Sequence, residues 1–81
     1  MITIKTFAQI REVCGESSIA LNAVEQETAA MLLERLGQRS PGWQKALEEN
    51  TLVACNQTMV GASHIICDGD EVAVFPPVTG G

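Results

Sequence analysis

Aromatic rings, basic residues and histidine are all scarce in this chain. Of 81 residues only Phe7, Trp43 and Phe75 are aromatic, and His64 is the single histidine. A core must therefore be built from Ile, Leu, Val, Met and Ala, within a hydrophobic share of 46%. Five bases against ten acids give a net charge of −5, which repels a phosphate backbone and argues against nucleic acid as a partner. Acidity of this kind serves solubility first, and steering towards a basic protein surface second. Cys14, Cys55 and Cys67 are odd in number and show no C-x-x-C spacing, so neither a disulfide framework nor a zinc knuckle is indicated and a reducing compartment fits. Each lies in or beside an apolar run and reads as packing rather than as a reactive thiol. No window reaches the roughly 18 apolar residues of a membrane span, and Met1 to Phe7 lacks the basic and apolar regions of a signal peptide. The expectation is a soluble cytoplasmic protein with no membrane association.

Internal chemistry is equally sparse. No Ser or Cys near His64 forms a nucleophile motif, and a lone histidine in a short chain reads as a surface or turn residue. Asp68, Asp70 and Glu71 lack the other ligands of a calcium loop, so no metal is expected. A phosphate-cradling G-x-x-x-x-G-K loop is missing as well. If the protein takes part in a reaction, the catalytic side chains come from a partner.

What is present is a regular order of elements. Ile2, Ile4 and Thr6 alternate with Thr3, Lys5 and Phe7, the period of a half-buried strand. Ala8 to Cys14 has helical spacing and stops at Gly15, and Ser17 to Leu21 reads as a second strand. Between Thr28 and Gln38 the residues Ala29, Leu32, Leu33 and Leu36 form one helical face, with Thr28 as a cap. Ser40-Pro41 opens a further short helix, expected over Gly42 to Glu49. Leu52 to Asn56 and Glu71 to Phe75 are strands, the second entered through the Asp68-Gly69-Asp70 turn, and Met59 belongs to another short strand. The sum is one α+β domain, a mixed sheet with helices packed on one face.

Two features stand out from that background. The chain ends in Gly80-Gly81 after Pro76-Pro77-Val78-Thr79. Two glycines lack Cβ atoms, so the segment fits a narrow slot and leaves its α-carboxylate open to attack. The prolines donate no amide hydrogen and favour an extended path, so residues 76–81 are expected to form a tail beyond a domain of residues 1–75. The second feature is facing: if Ile2 and Ile4 point inward, Phe7 points outward, and the same alternation puts Phe75 outward against Val72 and Val74. Both phenylalanines then lie on the polar side, as a patch for a partner that Met59 extends.

The stretch from Asp68 to Gly81, above all Phe75-Pro76-Pro77-Val78-Thr79-Gly80-Gly81, resembles the C-terminal signature of the MoaD family of ubiquitin-like sulfur carriers, the small subunits of molybdopterin synthase. Phe7-Ala8-Gln9-Ile10-Arg11-Glu12 and Ala54-Cys55-Asn56-Gln57 resemble the start and middle of the same family, so the similarity spans the chain. It implies a β-grasp fold. It also implies that an E1-like adenylyltransferase uses ATP to adenylate Gly81, that a sulfur donor protein supplies the atom for a thiocarboxylate, and that the tail delivers sulfur to cyclic pyranopterin monophosphate in the large synthase subunit. By the same resemblance two small and two large subunits assemble, no cofactor is bound tightly, Phe7, Met59 and Phe75 form the docking surface, and Arg11 pairs with an acid on a partner. Three other readings stay open at this point. A thiamine-pathway sulfur carrier shares the Gly-Gly end, although its tail usually lacks Pro-Pro; a ubiquitin-like modifier would be joined to lysines through Gly81; and a plain interaction domain would carry the tail incidentally.

Overall fold

The computed structural model describes residues 1–48 and 51–77. Alternation in the first strand is realised over β1 (Ile2–Thr6), where Ile2, Ile4 and Thr6 are buried and Thr3 and Lys5 are not. Helix α1 (Ala8–Cys14) follows directly and ends where Gly15 takes φ 79, its amide bonded to the Arg11 carbonyl at 2.9 Å. A left-handed residue is what such a stop demands, and glycine takes it without a Cβ clash. Strand β2 (Ser18–Leu21) starts one residue later than expected, although the Ser17 carbonyl still accepts from the Thr6 amide at 3.0 Å in the same register.

The main helix, α2 (Ala29–Gly37), is capped by Thr28, whose Oγ1 accepts from the Met31 amide at 3.2 Å. It buries Ala29, Leu32 and Leu36, the face expected from their spacing. Ser40 caps α3 (Pro41–Ala46) in the same manner, with Pro41 in the first turn and Trp43 fully buried. This helix is shorter than the expected Gly42 to Glu49: Leu47 already caps its C-terminal end, and Glu49 lies outside the described residues. Strand β3 (Leu52–Cys55) likewise stops before Asn56, since Asn56 (φ 51) and Gln57 (φ 71) form a two-residue left-handed turn into β4 (Thr58–Val60). Paired positive φ values mark the hairpin turn that matches sheet twist. Strand β5 (Glu71–Phe75) has the expected bounds.

The five strands lie in the order β2-β1-β5-β3-β4. β1 and β5 run parallel at the centre, and every other pairing is antiparallel. Register aligns Ile4, Val72 and Cys55 in one row and Thr6, Val74, Val53 and Val60 in the next. These rows meet Ile10, Leu32, Leu36 and Trp43 in the core, so all three helices cover one face of a mixed sheet, the α+β β-grasp arrangement. No helix among the described residues is long and apolar enough to cross a membrane.

Two charged clusters tie loops to helices. Both carboxylate oxygens of buried Glu27 are taken by Arg35, at 2.9 and 2.8 Å. Glu16 accepts from Arg39 at 3.1 and 3.2 Å and from the Trp43 indole at 2.8 Å. Arg39 first, and then Trp43, hold the Glu16 carboxyl below the ordinary glutamate range. The cysteines divide three ways: Cys55 is buried in the core, Cys14 half-buried, and Cys67 exposed. Packing therefore does not describe Cys67. Its neighbour Ile66 takes the inward place at 3% exposure, which leaves the next side chain to solvent.

Candidate docking face and tail root

Among the described residues, no helix packs on the face of the sheet opposite the core. Its rows follow from register: Lys5, Ala73, Ala54 and Met59 lie side by side, and the next row sets Phe75 against Leu52. Phe7, one residue beyond β1, closes that row from the other side. Its ring stacks on Phe75 with centroids 4.9 Å apart and planes 12° from parallel. Offset stacking of this kind adds about 0.5–1.5 kcal/mol to simple burial. Phe7 nevertheless stays 36% exposed, Leu52 37% and Met59 56%. Ala54 is buried but stands outside the core cluster, as its outward place in the ladder requires.

Arg11 projects from α1 over this corner. Its guanidinium carbon lies 5.7 Å from the Phe7 ring centre, within reach of a cation–π attraction, and Nη2 donates to the Thr6 carbonyl at 2.9 Å. None of the ion pairs found among the described residues uses Arg11. Behind Phe7 the chain turns sharply, with Ala8 at φ 53, a conformation that costs a residue with a Cβ about 1 kcal/mol or more. On the other flank Lys5 pairs with Glu71 at 3.5 Å across the parallel ladder. That pair is solvent-exposed and adds little to stability.

The structure thus brings Phe7, Arg11 and Phe75 into one cluster and places Met59 further along the same open face. Leu52 belongs to it as well, a residue the sequence reading assigned no role. The signal was available: with Val53 and Cys55 facing inward, alternation turns Leu52 outward beside Phe75, and only the aromatic residues were followed in that way. Pro76 and Pro77 leave the end of β5 half-buried, lining a cleft of about 200 Å³ with Ile10, Val13 and Lys45 between α1 and α3. Val78, Thr79, Gly80 and Gly81 lie outside the described residues. No group of three or more His, Cys, Asp or Glu suited to a metal occurs among the described residues.

Comparison with known proteins agrees with the fold. The model of the ThiS family matches residues 4–81. The molybdopterin synthase sulfur carrier subunit of Escherichia coli (strain K12) is 44% identical over 82 residues, covering 100% of both chains. Its counterpart from Haemophilus influenzae is 43% identical over the same span, again with full coverage of both. Among solved structures, the crystal structure of SAMP1 from Haloferax volcanii superposes with a TM-score of 0.82 at 25% identity, covering 99% of this chain and 98% of that one. A family match over nearly all of the sequence and relatives aligned along their whole length lead to one conclusion: the chain belongs to the ThiS family and, within it, to the molybdopterin synthase sulfur carrier subunits.

Proposed function

We propose that this chain carries sulfur for molybdopterin synthase as a thiocarboxylate on Gly81. A free carboxylate is a poor acyl donor because oxide is a poor leaving group. An E1-like adenylyltransferase that spends ATP to place AMP on the Gly81 carboxylate supplies a better one, and sulfide passed on by a sulfur donor protein displaces it. The thioacid is then a sulfur nucleophile that enters the large synthase subunit through Val78, Thr79 and Gly80, where a closed pocket protects it from water. Two such transfers to cyclic pyranopterin monophosphate build the dithiolene of molybdopterin, in a cytoplasmic assembly of two small and two large subunits. Catalytic side chains are the partner's, and ATP is a substrate of the activating enzyme rather than a resident group of this chain.

One observation of this molecule supports the reading best: the stacked ring pair of exposed Phe7 and half-buried Phe75, flanked by exposed Leu52, lies at the root of the tail. A partner that grips this cluster holds Pro76 and Pro77 at a fixed point, so the last residues reach a fixed depth in its active site. Arg11, uncommitted to any described carboxylate, offers its charge to an acid at the edge of that contact.

Intact mass spectrometry tests the chemistry. Incubation with an active E1-like enzyme, ATP and a sulfur donor is expected to raise the mass by about 16 Da, one oxygen replaced by sulfur. A mass that does not move while the enzyme adenylates a control carrier overturns the proposal. A second reading, attachment of Gly81 to protein lysines, draws on the likeness to SAMP1. It requires ladders of higher mass on target proteins that disappear when Gly81 is deleted.

A further inference from the structure

Cys55 and Cys67 stand at the two ends of the segment that leaves β3 and returns to β5, and both engage one oxygen. Oδ2 of Asp70 accepts from the Cys55 thiol at 3.3 Å and from the Cys67 amide at 2.8 Å. Oδ1 of the same carboxylate accepts from Asn56 Nδ2 at 3.0 Å, and the Asp70 amide returns to the Cys67 carbonyl at 3.0 Å. A carboxylate fixed in this way holds the two cysteines in a constant relation, one in the core and one in solvent. Burial, and then the neighbouring Asp70, push the Cys55 thiol up to about 11, with Cys67 adding to the effect. Cys55 therefore remains protonated, and Cys67 is the sulfur that an incoming oxidant meets.

We propose that Cys55 and Cys67 are a reversible oxidation site, at which a peroxide oxidises Cys67 and Cys55 resolves the product to an intramolecular disulfide. In the first step the peroxide O–O bond breaks, Cys67 sulfur takes one oxygen as a sulfenic acid, and one water leaves. In the second the Cys55 sulfur attacks that sulfur, the S–S bond forms as the S–O bond breaks, and the Cys55 proton departs with the hydroxide as a second water. Two thiols lose two electrons between them and the peroxide gains both; a dithiol reductant reverses the change. In a reducing compartment such a bond is transient, which suits a response and not a scaffold. The bond joins the end of β3, beside the Asn56–Gln57 turn, to the turn that opens β5. It pins the hairpin that carries Leu52 and Met59, while Asp70 keeps its bonds from the Cys67 amide and Asn56.

The experiment treats the full folded chain with hydrogen peroxide, blocks remaining thiols by alkylation and maps the product without reduction. The expected product is monomeric, about 2 Da lighter than the reduced chain, linked Cys55 to Cys67 and reversed by dithiothreitol. Cys14→Ser forms it at the same rate, and Cys67→Ser, altered only at an exposed side chain, does not form it. The proposal fails if Cys67 runs on to a sulfinic acid or an interchain dimer while Cys55 stays a free thiol, or if the disulfide formed uses Cys14.

Discussion

Arg35→Ala is the substitution whose cost this fold decides most sharply. Glu27 is 4% exposed, and Arg35 fills both of its carboxylate oxygens while also donating to the Asn22 carbonyl at 3.1 Å. The partners are unequal: the Arg35 side chain is 32% exposed and the Glu27 side chain 5%. Removing the arginine strands a carboxylate in the interior. Removing the glutamate releases a guanidinium that already borders water. Breaking a buried pair costs about 3–5 kcal/mol; water entering beside Arg35 places Arg35→Ala near the lower end, at about 3 kcal/mol, and Glu27→Ala at about 1–2 kcal/mol. A domain of this length has a total stability on the order of 4–12 kcal/mol. At roughly 4–8 °C for each kcal/mol, Arg35→Ala is expected to lower Tm by about 12–24 °C. Urea unfolding followed by fluorescence of the single, fully buried Trp43 measures both variants on one scale. The double variant Glu27→Leu with Arg35→Met should recover most of the loss, because no buried charge remains. A Glu27→Ala loss equal to or greater than that of Arg35→Ala would refute the argument from unequal exposure.

Other perturbations probe the docking face, the acid response and the hairpin. Phe75→Ala removes half of the ring stack and a half-buried ring and is expected to cost about 2 kcal/mol in folding, while weakening binding of the large synthase subunit by about tenfold or more in calorimetric titration; a loss of about 4 kcal/mol or more would assign the ring to the core. The Glu16 carboxyl is held low by Arg39 and then by Trp43, and Asp70 by the Cys67 amide and then by Asn56. Depressed carboxylates contribute stability that is present above their ordinary values and is lost as pH falls through the folded ones, so Tm should drop between about pH 5 and pH 2. Glu16→Gln should melt lower than the parent at pH 7 and show a flatter acid limb, and parallel curves would contradict the assignment. Gln57 has φ 71 at a position where glycine is unstrained, so Gln57→Gly should raise stability by up to about 1 kcal/mol in the same urea assay.

Much of this architecture could be read from local pattern. Alternation at Ile2, Ile4, Val72 and Val74 placed the two phenylalanines outside, and the caps Thr28 and Ser40 sit where their residue types prefer to be. Each of these rests on neighbours within a turn or a strand. Where the reading fell short, the cause was a partner remote in sequence or a weak local marker. Asn56-Gln57 lacks the glycine that usually announces a left-handed hairpin, so β3 was read one residue too long. The Glu16 contacts with Arg39 and Trp43 join residues 23 and 27 apart, and nothing near Glu16 in the chain marks them. Cys67 looked like packing beside Ile65 and Ile66 until the turn at Asp70 directed it outward. Leu52 obeys the same alternation, which turns it outward beside Phe75.

The central parallel pair has a consequence for how the molecule comes into being. β1 is synthesised well before β5, and the two hydrogen-bond side by side. Contacts of such long sequence separation form late, because the loop between them must be closed first. Phe7 has no ring to stack on until Phe75 has been made. A chain not yet extended to Phe75 therefore lacks the Phe7–Phe75 stack, and any partner that reads that stack engages only protein whose translation has reached the root of the tail. The sheet acts as its own certificate of completion.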